Sequence, residues 1–201
     1  MISKLNDVPV LNGLILSGGM SVRMGSPKDR IHWHGKEQRY FLADLLAVFC
    51  KKVYISCRQD QVGNIDPNYQ TINDVFPNIG PAGGLLSAFR KKPNDAWLVV
   101  ACDMPMLDGD SIQLLIQSRD STKCATAYVN PNDNLPEPLI TIWEPKSYPI
   151  LNDSFTLGHT SLRKFLINND IVMIKPLKPE ILFNINTPME MLNATKILKN
   201  R

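Results

Sequence analysis

Ala96-Trp-Leu-Val-Val-Ala101 is a run without a polar side chain, closed by Cys102-Asp103-Met-Pro105. A strand with one wet face alternates apolar and polar residues, so a run of this kind has to be covered on both faces, as a central parallel strand is. Parallel neighbours need crossover connections, and the chain supplies them as amphipathic stretches between short apolar runs. Gly13 to Leu16 is one such run and ends at Ser17-Gly18-Gly19, while Lys52 to Cys57 reads as a second strand. Between them, Gln38 to Cys50 carries Leu42, Leu45, Leu46 and Phe49 at the spacing of one apolar helix face. Gly83 to Lys91, opened by a glycine cluster and closed before Pro93, predicts a second helix.

The remainder keeps the same alternation. Asp110 or Ser111 is the expected cap of a helix with Ile112, Leu115 and Ile116 inward. Lys123 to Val129 and Leu139 to Trp143 read as strands separated by the turn-rich PNDNLPEP. Ser161 to Ile167 reads as a helix and Ile171 to Ile174 as a late strand. Thr187-Pro-Met-Glu190 is a T-x-x-E capping box with proline at the first helical position. These elements predict a doubly wound, mostly parallel sheet with helices on both faces, a three-layer α/β/α fold. No linker splits the chain, so residues 1–201 read as a single domain.

Bulk properties narrow the function. At 44% apolar and 20% charged, the 201 residues have the profile of an ordinary globular protein. A net charge of +3, from 22 basic and 19 acidic side chains, is too balanced to call for a nucleic acid or a membrane surface. No stretch approaches the ~18 apolar residues of a membrane span, and MISKLNDVPV lacks the apolar core of a signal peptide. Cys50, Cys57, Cys102 and Cys124 form no C-x-x-C pair, which predicts buried free thiols in a cytoplasmic protein.

In a doubly wound sheet, ligands bind beyond the carboxyl ends of the strands, near the switch point of strand order. That selects the loops after Leu16, Cys57 and Ala101. The first, Ser17-Gly-Gly-Met-Ser-Val-Arg-Met-Gly25 followed by Lys28, combines glycines that let backbone N–H groups approach an anion with two cations, Arg23 and Lys28. It suits a di- or triphosphate but matches neither a Walker A loop nor G-x-G-x-x-G, and taken alone it reads equally well as a surface turn. Asp103, a lone carboxylate at a strand end, suits Mg²⁺ shared with substrate phosphates, or else a turn before Pro105. Asp74, ahead of Gly80-Pro-Ala-Gly83-Gly84, marks either a helix N-terminus facing an anion or base, or an ordinary helix start. His32 and His34 lack a third ligand at metal-site spacing, and with His159 they read as surface or core residues. Met20, Met24, Met104 and Met106 read as gap-fillers.

Taken in order, Leu16-Ser17-Gly18-Gly19, Arg23-Met24-Gly25, Lys28, Asp74, Gly80-Pro-Ala-Gly83-Gly84, Cys102-Asp103-Met-Pro105, Glu137-Pro-Leu139 and Phe183-Asn184-Ile-Asn186-Thr-Pro188 form a series. It resembles the molybdenum cofactor guanylyltransferases, within the wider Rossmann-like nucleotidyltransferases, over residues 12 to 193. The resemblance implies GMP transfer from GTP to molybdenum-molybdopterin with release of pyrophosphate. Relatives with the same N-terminal signature use CTP or sugar phosphates, and a non-catalytic nucleotide-binding module on the same fold is a further alternative. The leucine at Leu16 and the N-I-N-T-P ending, rather than D-I-D-T-P, are the features similar to guanylyl transfer. By resemblance, Leu16, Ser17, Gly18 and Gly19 contact base and ribose through their backbone. Arg23, Gly25 and Lys28 hold the phosphates, Asp74 lies on the base or ribose side, Asp103 binds Mg²⁺, and Asn184 and Asn186 face the pterin. Residues 10–108 would then form the nucleotide half and 109–201 the acceptor half, with transient contacts to cofactor-delivery or molybdoenzyme proteins. Two positions depart from the family: it usually has L-A-G-G where this chain has L-S-G-G, and often Asn where this chain has Cys57.

The lysine assignment is testable without a structure. Lys28→Ala should weaken GTP binding about tenfold to a hundredfold, the worth of a charge-assisted contact, and GMP binding much less, since GMP lacks the β- and γ-phosphates. Calorimetry showing equal losses for the two nucleotides would place Lys28 elsewhere.

Overall fold

A computed structural model describes residues 8–17, 28–76 and 78–199. Strands β1 (Leu11–Leu16), β2 (Val53–Cys57), β3 (Gln70–Asn73), β4 (Ala96–Ala101), β5 (Ala125–Val129), β6 (Pro136–Trp143) and β7 (Ile171–Ile174) join in one sheet of order β3-β2-β1-β4-β6-β5-β7. Only β6 among them runs antiparallel to its neighbours, pairing with β4 and β5. Helices α1 (Gln38–Ala47), α2 (Pro81–Lys91), α3 (Gly109–Gln117), α4 (Ser147–Thr156), α5 (Leu162–Asn168) and α6 (Pro188–Lys199) connect and cover them.

All six residues of β4 are buried, as the unbroken apolar run requires. Its side chains serve two cores. Leu98 and Val100 join Leu42 and Leu46 of α1 and Ile112 and Leu115 of α3 on one face. On the other, Trp97 and Val99 join Leu85 and Phe89 of α2, Leu151 of α4 and Phe165 of α5. Each fully buried aliphatic side chain contributes about 1.5–3 kcal/mol relative to exposure, so this double coverage makes β4 the least replaceable strand. Helix α6 packs separately, through Ala194, on Ile185 and Met106.

Local sequence patterns set the helix caps. Glu190 N–H donates to Thr187 Oγ1 at 3.3 Å while Thr187 N–H donates to Glu190 Oε2 at 2.8 Å, the reciprocal capping box. Ser161 caps α5 by accepting from Lys164 N–H. The cap of α3 needs correcting: it is Asp108, which accepts from Ser111 N–H at 3.0 Å, because an acceptor three residues upstream can reach that orphan amide and Asp110 or Ser111 itself cannot. Strand β3 carried no apolar signal because it is an edge strand with one buried residue, Ile72. Helix α4 buries only Ser147 and Leu151, too few for a readable stripe. All four cysteines are buried free thiols, and burial pushes Cys50 up to about 12 and Cys102 well above its ordinary value. Among the described residues no helix is long and apolar enough to cross a membrane.

One buried ion pair closes the edge of the sheet opposite the carboxyl ends of the parallel strands. Glu144, fully buried just after β6, accepts from Arg119 Nε at 2.6 Å and Nη2 at 2.9 Å, and Nη2 also donates to Pro9 O. Arg119→Ala would strand that carboxylate without its partner. It should cost about 3 kcal/mol or more and lower Tm by roughly 6–12 °C. A thermal melt matching wild type would show that solvent or another cation replaces the guanidinium.

Candidate active site

The parallel strands put their carboxyl ends in register. Leu16 pairs with Ser56 of β2 on one side and with Ala101 of β4 on the other, and Cys57 pairs with Asn73 of β3. The chain leaves β1 toward β2 and β3 and returns on the other side as β4, so strand order switches between β1 and β4. Ser17 and Asp103 therefore follow two adjacent strand ends at the switch point, where open α/β sheets bind ligands. Asp74 follows β3 along the same edge and is tied to it by its N–H, which donates to Cys57 O at 2.9 Å.

Helix α2 approaches this edge closely. A Cβ on Gly83 would lie 2.5 Å from Phe76 O and 2.7 Å from both carboxylate oxygens of Asp74. One on Gly84 would meet Leu16 Cδ2 and Ser56 Oγ, each at 2.7 Å. The Phe76 carbonyl is main chain and cannot swing aside, so Gly83 is what lets α2 seat its first turn against the Asp74 loop, while a side chain at position 84 would require the Leu16 and Ser56 side chains to shift. Asp74 Oδ1 accepts from Phe76 N–H at 2.9 Å and from Ser87 Oγ–H at 3.4 Å. Burial pushes the Asp74 carboxyl above its ordinary 3.8, against the pull of those two donors.

Asp103 is half-buried, with its Oδ1 inside the protein. The turn that carries it is held from three sides. Ile185 N–H donates to Asp103 O at 2.9 Å, Gln38 Nε2 to Met104 O at 3.4 Å, and His34 Nε2 lies 2.9 Å from Pro105 O as its Nε2–H donor. His34 also stacks on Phe41, with ring centroids 3.8 Å apart. His34 and fully buried Gln38 are thus structural supports of the site that chain order did not indicate. Met104 and Met106 fill the core beneath the turn.

The Ile185 contact brings the C-terminal segment to the strand ends. Asn184 carries a buried Oδ1 with no hydrogen-bond donor among the described residues. Exposed Asn186 uses its N–H to bond Glu190 Oε2 at 2.7 Å, within the capping box. Glu137 stands at the start of β6, on the sheet edge where β4 ends, and β5 loses register opposite it, between Ala127 and Tyr128. It is buried, accepts from Arg163 Nη2 at 3.0 Å and Leu139 N–H at 3.3 Å, and burial raises its carboxyl despite both. Gly18, Gly19, Arg23 and Gly25, with Met20 and Met24, lie outside the described residues. Of Lys28 only the backbone is described, in a short 3-10 turn, Lys28–Arg30.

The metal expectation meets a sparse donor set. Among the described residues no three His, Cys, Asp or Glu side chains gather to hold an ion. One carboxylate at a strand end is still sufficient for Mg²⁺, which takes one or two protein oxygens and completes its shell from substrate phosphates and water.

Strand order, strand-end residues and the glycine-mediated seat of α2 define a Rossmann-like α/β fold with its ligand edge at the β1/β4 switch point. The chain belongs to the MobA-like NTP transferase domain family, whose model matches residues 13–172. It is 32% identical over 179 residues to a molybdenum cofactor biosynthesis bifunctional protein of Synechocystis, covering 89% of this chain and 52% of that one, so it spans about half that relative's length. It is 26% identical over 164 residues to a molybdenum cofactor guanylyltransferase of Pseudomonas entomophila, 80% of this chain and 84% of that one. The solved molybdopterin-guanine dinucleotide biosynthesis protein A from Archaeoglobus fulgidus shares the fold, with TM-score 0.78, 21% identity, and coverage of 94% of this chain and all of that one.

The shifted carboxyl of Asp74 has a measurable sign. A raised folded-state pKa means that Asp74 costs no stability below about pH 4 and progressively more as pH rises through its folded value. Asp74→Asn keeps an acceptor for the Phe76 N–H and removes that cost. The Tm difference, variant minus wild type, should therefore grow as pH rises from about 4 through the folded-state pKa and level off above it. A difference independent of pH would mean that Asp74 ionises as freely in the folded chain as in the unfolded one.

Proposed function

We propose that the chain transfers GMP from GTP to molybdenum-molybdopterin and releases pyrophosphate, acting as one cytoplasmic domain with a nucleotide half at 10–108 and an acceptor half at 109–201. The observation that carries this reading is the Ile185 N–H to Asp103 O bond, which sets the Asn184–Asn186 segment beside the strand end that bears the acidic residue. Two segments distant in sequence share one edge of the sheet, which suits a two-substrate transfer. Curated relatives bearing the guanylyltransferase name support the choice of nucleotide.

In this reading an acceptor phosphate oxygen attacks the α-phosphorus of GTP, a Pα–O bond forms, the bond to the β-phosphate bridge breaks, and pyrophosphate leaves. No protein nucleophile is required, so the protein's work is alignment and charge neutralisation. Leu16, Ser17, Gly18 and Gly19 hold base and ribose, with Asp74 alongside. Arg23, Gly25 and Lys28 hold the triphosphate, and Arg23 and Lys28 neutralise charge on the departing pyrophosphate. Asp103 would hold Mg²⁺, which supplies Lewis-acid neutralisation of the phosphate oxygens when bound. Asn184 and Asn186 face the pterin of the acceptor. Partners beyond the two substrates are transient: proteins that deliver the pterin or receive the product. A reducing compartment suits four free thiols.

Purified protein with Mg²⁺, GTP and molybdopterin should release pyrophosphate, and CTP in place of GTP should react far more slowly. Asp103→Asn should melt like wild type and lose roughly a hundredfold or more in turnover. Equal use of CTP would overturn the base assignment. GTP binding without pyrophosphate release would make the chain a nucleotide-binding module.

A further inference from the structure

A buried ionic cluster lies directly behind Ser17 and has no place in the roles above. Asp29, 7% exposed, uses one oxygen, Oδ2, to accept from Ser17 Oγ–H at 2.7 Å and from Arg39 Nη1 at 3.2 Å. Arg39, 3% exposed in the first turn of α1, donates from Nε to Glu37 Oε2 at 2.7 Å and from Nη2 to Asn64 O at 3.0 Å. Its guanidinium lies 4.8 Å from the centre of the Tyr40 ring.

Buried ion pairs are roughly neutral to costly compared with apolar side chains of the same volume. Packing energy alone therefore gives no reason for charges here. Their placement does. Ser17 and Asp29 stand 12 positions apart, on either side of residues 18–27, so the hydroxyl–carboxylate bond joins the two flanks of that segment. Arg39 then anchors the junction to a helix of the core. Ser17 is fixed a second time by its N–H, which donates to Ser56 O at 3.0 Å. A main chain held in place before its ligand arrives binds with a smaller ordering cost.

We propose that Asp29, held by Arg39, is a positioning residue for the nucleotide site and acts through the Ser17 hydroxyl. The inference rests on the guanylyltransferase reading. Asp29 touches no substrate; it sets where the Ser17 backbone stands.

The test combines calorimetric GTP binding with steady-state kinetics on the full chain. Ser17→Ala should raise the GTP Kd and the KM for GTP roughly three- to tenfold, the worth of one hydrogen bond. The KM for molybdopterin and kcat at saturating GTP should stay at wild-type values. Asp29→Ala should act likewise, and the double variant should be no worse than Asp29→Ala alone. Asp29→Asn, which keeps an acceptor for the hydroxyl, should retain most of the GTP affinity. A merely structural role would lower Tm and impair both substrates together. Ser17→Ala leaves the Asp29–Arg39 pair intact, so it decides the matter even where Asp29→Ala does not fold. Wild-type GTP affinity in Ser17→Ala, or losses from Ser17→Ala and Asp29→Ala that simply add, would overturn the positioning role. A wild-type chain that binds no GTP would overturn the guanylyltransferase reading itself.

Discussion

Burial of Ala96–Ala101 on both faces is the constraint from which the rest of the architecture follows. A strand with no wet face needs helices above and below it, and the parallel pairing of β1 with β2 and β4 needs crossovers to supply them. Once β1 and β4 are neighbours with Leu16 opposite Ala101, the residues that follow them are forced to the same edge. The candidate site is a consequence of register: Ser17 and Asp103 share one edge of the sheet because two hydrophobic strands end together.

Close approach is the second requirement. A sheet edge and a helix N-terminus make a binding surface only if the backbone can come near, and Gly83 and Gly84 remove the two side chains that would hold α2 away from Asp74 and Leu16. The same seat leaves Asp74 partly desolvated, with its carboxyl raised.

Two sets of polar groups, mostly buried, brace the carboxyl ends of β1 and β4. Gln38 and His34 brace the turn after Asp103, and Arg39, Asp29 and Ser17 brace the end of β1. Gln38 in one set and Arg39 in the other belong to the first turn of α1, so one helical turn braces the ends of both β1 and β4. Helix α1 is thereby more than a cover for the sheet. The buried Glu144–Arg119 pair at the opposite edge has no such neighbours and serves the fold alone.

Much was legible in the chain because the signals were local. Apolar periodicity marked β1, β2, β4, β7 and most helices, and the T-x-x-E pattern located the start of α6, since a cap is made by residues three apart. The glycine loop, Asp74 and Asp103 stood out as residue types in loops beyond strand ends, and the Asn184–Asn186 segment stood out only through its resemblance to the guanylyltransferases. What chain order could not supply was anything made between elements. Edge strand β3 has too little burial to leave a pattern, and the antiparallel direction of β6 depends on which neighbours it finds. Gln38 and Arg39 carried no signal of their own in the sequence, because their partners Met104 and Asp29 are 66 and 10 positions away. The sequence alone determined the layers and which loops could carry chemistry, because periodicity and turn residues act over a few positions. Only the tertiary structure decided that Ile185 lies against Asp103 and that Asp29 closes on Ser17, because those bonds exist only after distant strands and helices have packed.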